Sequence, residues 1–266
     1  MTPRRTSLLL VPAAIVLTAA GCGGGGSSER TVPKPQAKVL EQGPFGRGAD
    51  QVWIFRPRAR ARSIVVFVHG AGDRAETTPR YHRPWLEHLA VRGSIVLYPR
   101  YELAHAPDAL RHLVAGVRTG ESQLDNLRLP VLEIGYSRGA RLAVEYAALA
   151  GAVGLVPKAV LSIFPSTLVP PEPLLDLRGI DPRTRILILV GDRDSVVADV
   201  GARELRSRLD AAGFPRERAA IQIVHSRPGF TANHLSVLST TAGAKAAYWS
   251  RADRLLVSLT SVRRSR

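Results

Sequence analysis

Cysteine occurs once in the 266 residues, at position 22. A single thiol excludes an intrachain disulfide and any zinc site built on several thiolates. Lysine is nearly as scarce: only Lys34, Lys38, Lys158 and Lys245 are present, so 33 of the 37 basic side chains are arginine. The formal net charge of +15 therefore reflects arginine-rich codon usage as much as a basic surface. Aromatic residues make up 6% and the arginines are scattered along the chain. Nucleic-acid binding needs cations gathered on one face or interleaved with stacking rings, so no nucleic-acid partner is expected. No apolar run reaches the roughly 18 residues that cross a bilayer. What is present is a composition 45% apolar and 22% charged, too apolar for a disordered chain and sufficient for a large core.

The N-terminal segment reads as an address. Arg4 and Arg5 precede an apolar stretch from Leu8 to Ala20, the arrangement of a secretory signal too short to span a membrane. The stretch ends Leu17, Thr18, Ala19, Ala20, Gly21, Cys22. It resembles the lipobox of bacterial lipoproteins, where the peptide is cut before a cysteine that is then acylated; Ala19 stands where that pattern usually has leucine or valine. The resemblance implies removal of residues 1–21, lipidation of Cys22, and an extracytoplasmic protein anchored to the cell membrane by its acyl chains. Ordinary secretion with an incidental cysteine is the alternative. Residues 22–48, with Gly23 to Gly26, Ser27, Ser28, Pro33, Pro35 and Pro44, read as a flexible tether. Residues 49–262 read as one domain.

Within that domain apolar runs alternate with helical patterns. Strands are expected at 51–55, 63–68, 94–98, 129–134, 158–164, 185–190 and 220–225. Helices are expected at 84–92, 107–117, 138–150, 198–212 and 242–259, the first stopped by Gly93. The arginine-rich stretch between the first two strands reads as a solvated hairpin turn, with contact to anionic lipid or wall polymer as the alternative. Such alternation predicts an α/β protein with a mostly parallel, doubly wound sheet flanked by helices, and ligands at the carboxyl ends of its strands. Pro165 to Thr184, the gap after the strand expected at 158–164, is 20 residues long with five prolines, too short and rigid for a large lid domain.

Gly135, Tyr136, Ser137, Arg138 and Gly139 follow an apolar strand and open a helix. This is G-x-S-x-G in the strand, turn, helix context that gives the motif its meaning. Ser137 is thus the candidate nucleophile on a strained turn, with backbone N–H groups at the helix start facing any anion that forms. With these residues the sequence resembles the α/β hydrolase family over nearly the whole domain. That family also carries a His-Gly after an early strand, found here as His69 and Gly70 before Ala71 and Gly72. The resemblance implies an oxyanion hole formed by the N–H groups of Ala71 and Arg138, with His69 structural. It implies the acid three residues after a strand-end glycine, hence Asp194 after Gly191, with Asp192 as the competitor. It implies the base in the loop after the last strand, hence His234, with His225 as the competitor. No metal and no cofactor enter this scheme, and His82, His88, His105 and His112 lack the spacing and carboxylates of a zinc helix.

The stretch from His69 to Glu102 resembles the dienelactone hydrolase-like and chlorophyllase-like branch, but Ser137 replaces the cysteine of dienelactone hydrolases and their chemistry is not carried over. Tyr81, Trp85, Tyr98 and Tyr101 fall on either the rim of the site or the core. The expected activity is carboxylic ester hydrolysis through an acyl-enzyme, on lipid, cell-wall or polymeric esters. An acyltransferase on the same three residues and an inactive binding lipoprotein are the alternatives.

Overall fold

The computed structural model describes residues 39–72, 78–101, 107–168 and 170–261; the expected signal peptide, Cys22 and the first part of the tether lie outside them. Eight strands, β1 (Val39–Phe45), β2 (Val52–Pro57), β3 (Ser63–Val68), β4 (Ser94–Pro99), β5 (Val131–Tyr136), β6 (Pro157–Ile163), β7 (Arg185–Gly191) and β8 (Ala219–Val224), form one sheet. Their order is β1-β2-β4-β3-β5-β6-β7-β8. From β4 to β8 every neighbouring pair is parallel, while β2 runs antiparallel to both β1 and β4. The central strands β3, β4 and β5 are buried along their whole length, which is why they read as nearly continuous apolar runs, broken in β5 by Glu133, and not as alternating ones.

Helices cover both faces. Trp85, Leu86 and Leu89 of α1 (Arg83–Val91) pack with Leu255 and Leu256 of α6 (Ser250–Ser261) on one face. On the other lie α2 (Ala109–Glu121), α3 (Arg138–Val153) and α4 (Val200–Ala211), contributing Leu113, Val117, Leu142, Tyr146, Leu205 and Leu209. A strand whose successive side chains point to opposite faces feeds both cores, as with Val66 and Phe67 of β3.

Three expectations need correction. Residues 39–48 were expected within the tether, but Val39–Phe45 is the edge strand, paired with β2 with a register shift between Gln42 and Phe45. Its mostly exposed face and its Gly43-Pro44 pair erase the periodicity by which a strand is recognised, and an edge tolerates proline. The segment between β2 and β3 is not a hairpin turn, because β4 lies between those two strands. Arg62 there donates from its backbone N to Gly93 O (2.8 Å) and from Nη2 to Arg92 O (2.7 Å), fastening the segment to the start of β4. The closing helix is interrupted: α5 (Ala242–Ala244) passes through a π-helical turn, Lys245–Trp249, before α6. After β6 the longest regular element among the described residues before β7 is the 3-10 turn Leu177–Gly179, so this connection builds no large lid among the described residues.

Candidate active site

β5 ends at Tyr136 and α3 begins at Arg138, leaving Ser137 alone at the bend. Its backbone sits at φ 56 and ψ −123, a conformation that costs a residue with a side chain about 1–3 kcal/mol and persists only where its surroundings enforce it. Here they do. Ser137 N donates to Ile163 O (2.9 Å), and Ser137 O accepts from Ala140 N (2.9 Å) and Ser166 N (3.3 Å). The flanking glycines have no alternative: a Cβ on Gly135 would lie 2.3 Å from Gly139 O, and one on Gly139 would lie 2.1 Å from His69 O. Strand β5, helix α3 and the loop after β3 meet backbone to backbone at this point.

The bend brings together residues from three distant parts of the chain. His234 Nε2 lies 3.0 Å from Ser137 Oγ, and His234 Nδ1 lies 2.8 Å from Asp194 Oδ2. Asp194 and His234 are 6% and 8% exposed. The other carboxylate oxygen of Asp194 accepts the N–H groups of Val196 (2.9 Å) and Val197 (3.2 Å), which fixes its plane. Opposite an acceptor-only carboxylate, His234 Nδ1 carries the proton and leaves Nε2 to accept from the serine. Tyr136 holds the histidine's backbone, donating from its hydroxyl to His234 O at 3.0 Å. Burial, then the charge of Asp194, pushes the Tyr136 phenol well above its ordinary range, so that it stays a donor.

The two competitors have found each other. His225 Nδ1 lies 3.6 Å from Asp192 Oδ2, with the imidazole side chain 74% exposed. Asp192 accepts Ser226 Oγ–H (2.6 Å) and Ser226 N–H (2.9 Å), and Ser226 Oγ in turn accepts Ala232 N–H (2.9 Å). These bonds hold the Asp192 carboxyl below its usual range. Asp192 thereby ties the end of β7 to the loop that delivers His234.

On the opposite side of Ser137, the loop after β3 crosses the bend closely. A Cβ on Gly70 would stand 2.9 Å from the Tyr136 ring and 3.1 Å from Ser137 Cβ, and Ala71 is the next residue along. Arg138 N is the first helical N–H of α3. His69 does not reach the serine: its ring nitrogens lie 2.7 Å from Gly70 O and 2.9 Å from Arg100 O, and its ring stacks on Tyr101 at 4.3 Å. Of the aromatic residues divided between rim and core, Trp85, Tyr98 and Tyr101 are buried and only Tyr81 is substantially exposed. Glu102 and His105 lie outside the described residues.

A residue absent from the sequence reading also belongs to this region. Glu172, from the connection between β6 and β7, is 8% exposed and receives the guanidinium groups of both Arg138 and Arg141. The available signal was on α3 itself, where Arg138, Arg141 and Glu145 interrupt an otherwise apolar helix and so require buried partners.

No protein-family model matches the sequence, and no curated protein does. Similarity emerges at the level of structure. Esterase B from Lactobacillus rhamnosis, in its tributyrin phosphonate-inhibited form, matches with a TM-score of 0.64 over 86% of this chain and 88% of that one, at 17% identity. An esterase/lipase from an uncultured bacterium gives 0.64 over 84% and 86% at 15% identity. A protein from Klebsiella pneumoniae provisionally described as a dienelactone hydrolase gives 0.57 over 84% and 98% at 18% identity. The protein has the α/β hydrolase fold.

Proposed function

We propose that this α/β hydrolase-fold protein is a serine hydrolase of carboxylic esters, held outside the cytoplasmic membrane by a lipid on Cys22. The observation that carries the reading is the hydrogen-bonded line from Ser137 Oγ through His234 to Asp194, set at a strained bend. Structural neighbours described as esterases favour the substrate class.

The chemistry follows from the order of groups. A serine hydroxyl attacks a carbonyl only when a base takes its proton, and His234 Nε2 is within reach to do so. Asp194 keeps the imidazole in the required tautomer and stabilises the imidazolium. Negative charge on the former carbonyl oxygen is received by the N–H groups of Arg138 and Ala71, each such donor contributing about 2.7–4 kcal/mol to lowering the barrier. The tetrahedral species collapses as His234 protonates the departing alkoxide, and the acyl group remains on Ser137. Water, deprotonated by His234, then releases the acid and restores the serine.

Two exposed apolar side chains flank this line: Leu235, next to His234, is 65% exposed, and Val196, whose N–H binds Asp194, is 68% exposed. With no large lid built from the β6–β7 connection among the described residues, such side chains suit extended or surface-presented acyl esters. The test is labelling by a fluorophosphonate probe, expected on wild type and absent on Ser137→Ala, followed by p-nitrophenyl esters of increasing acyl length. No Ser137-dependent labelling ends the enzymatic reading. An ester product formed with an added acceptor alcohol would assign acyl transfer. Release of Cys22→Ser into the medium tests the anchor.

A further inference from the structure

We infer that Glu172 is a positioning residue for the oxyanion donor at Arg138, acting through a buried ring of ion pairs that ties the β6–β7 connection to the first turn of α3. The inference rests on the proposed function and extends it to a residue outside the Ser137, His234 and Asp194 line.

The geometry is specific. Arg138 and Arg141 stand three residues apart, on one side of the opening turn of α3, and a single carboxylate takes both. Glu172 Oε1 accepts from Arg138 Nε at 3.0 Å and from Arg138 Nη2, while Oε2 accepts from Arg141 Nη2. Arg141 Nη1 continues to Glu145 Oε2 at 2.6 Å, and Glu145 Oε1 receives Arg208 Nη1 of α4 at 2.9 Å. Arg208 Nη2 then donates to Leu175 O at 3.0 Å. The ring thus leaves the connection at residue 172 and returns to it at residue 175. Apart from Arg208, at 11%, every side chain in it is at most 5% exposed.

Arg138 contributes two things to the bend. Its backbone N–H is the donor that meets the developing oxyanion, and its side chain is held on two nitrogens by Glu172. Two nitrogens of the Arg138 guanidinium converge on Glu172 Oε1 while Arg141 holds Oε2, so the carboxylate is fixed from both sides and restrains the side chain more than a single N–H contact would, orienting the first peptide of α3 relative to Ser137. The same connection also donates Ser166 N to Ser137 O at 3.3 Å. An oxyanion donor works only when it is already aimed before charge develops, and displacements near 1 Å cost about a hundredfold in rate.

Two variants test the inference. Glu172→Gln removes the charge and half of the acceptor capacity at nearly constant shape. The double variant Arg138→Met with Glu172→Met replaces the buried pair by apolar groups of similar length, an exchange that cores commonly tolerate. Both are assayed on p-nitrophenyl butyrate, with active sites counted by phosphonate titration so that kcat refers to reactive serines alone. The expected result is kcat per site lower by about 10- to 100-fold with KM within about threefold, the signature of a contact realised in the transition state. The acid limb of the kcat/KM pH profile stays where it is, because no proton passes through Glu172. Unchanged kcat per titrated site overturns the inference, including the case in which the variants merely yield less folded protein. A loss accompanied by a shifted pH profile also overturns it, because the damage would then lie at His234. Wild type that labels at Ser137 beside fully active variants sinks this inference alone; wild type that never labels removes the ester-hydrolase reading with it.

Discussion

His82 offers the sharpest physical test of the interior beneath the site. The side chain is 2% exposed, its Nε2 has no hydrogen-bond partner among the described residues, and its ring packs on Phe67 at 4.9 Å and on Tyr98 and Tyr136 at 6.0 Å. Burial, reinforced by the charge of His69, lowers its pKa from 6.5 to about 3. The native state therefore keeps this imidazole neutral, whereas the unfolded chain takes up a proton once the pH falls below about 6.5. Stability from this group is intact above that value and is lost toward pH 3, by about 1.4 kcal/mol per pH unit. Between pH 7.5 and pH 4.5 the loss amounts to about 2–3 kcal/mol. His82→Phe removes the titration, and any packing offset it introduces is common to both pH values and cancels. The assay is urea unfolding of wild type and variant at pH 7.5 and pH 4.5, compared as a difference of differences. Wild type should lose about 2–3 kcal/mol more than the variant on acidification. Equal losses would refute the argument that this buried imidazole is held neutral.

Glu133 in β5 is the mirror case: it is wholly buried, neither carboxylate oxygen has a hydrogen-bond partner among the described residues, and burial raises its pKa well above the ordinary value. Its native form stays protonated while the unfolded carboxyl ionises above about pH 4.3, so stability falls as pH rises through that region. Glu133→Gln should flatten that slope, and Glu133→Leu should stabilise by about 1–3 kcal/mol in thermal or urea unfolding at neutral pH. Asp194→Asn should lower kcat by about 10³- to 10⁴-fold through the wrong imidazole tautomer, while Asp192→Asn should leave it within a few-fold; similar losses at both positions would contradict the assignment. Gly139→Ala should abolish phosphonate labelling and lower the melting temperature, because its Cβ would lie 2.1 Å from His69 O and 2.3 Å from Val68 O, both backbone atoms. A labelled Gly139→Ala protein would show that the bend is not packed as described.

The local patterns were legible because they are local. Ser137 declares itself through glycines two residues away on each side, and those glycines are required by contacts that any strand, tight turn and helix packed this closely must make. The nearly continuous apolar runs of β3 and β4 announce the centre of a sheet buried on both faces, since a half-exposed strand would alternate with polar residues. What the chain alone left open were relations between segments. Nothing in the sequence of β2 and β3 states that β4 lies between them, and Val39–Phe45, an edge strand with little burial, carries too weak a pattern to be seen.

Two aspartates and two histidines looked alike because residue type and position along the chain do not encode which way a turn points its carboxylate. Tertiary packing separated them, placing Asp194 and His234 in the interior against Ser137 and Asp192 and His225 at the surface with Ser226. Glu172 was invisible for the same reason. A carboxylate among prolines acquires its meaning only when folding carries it onto two arginines of a helix that begins next to Ser137.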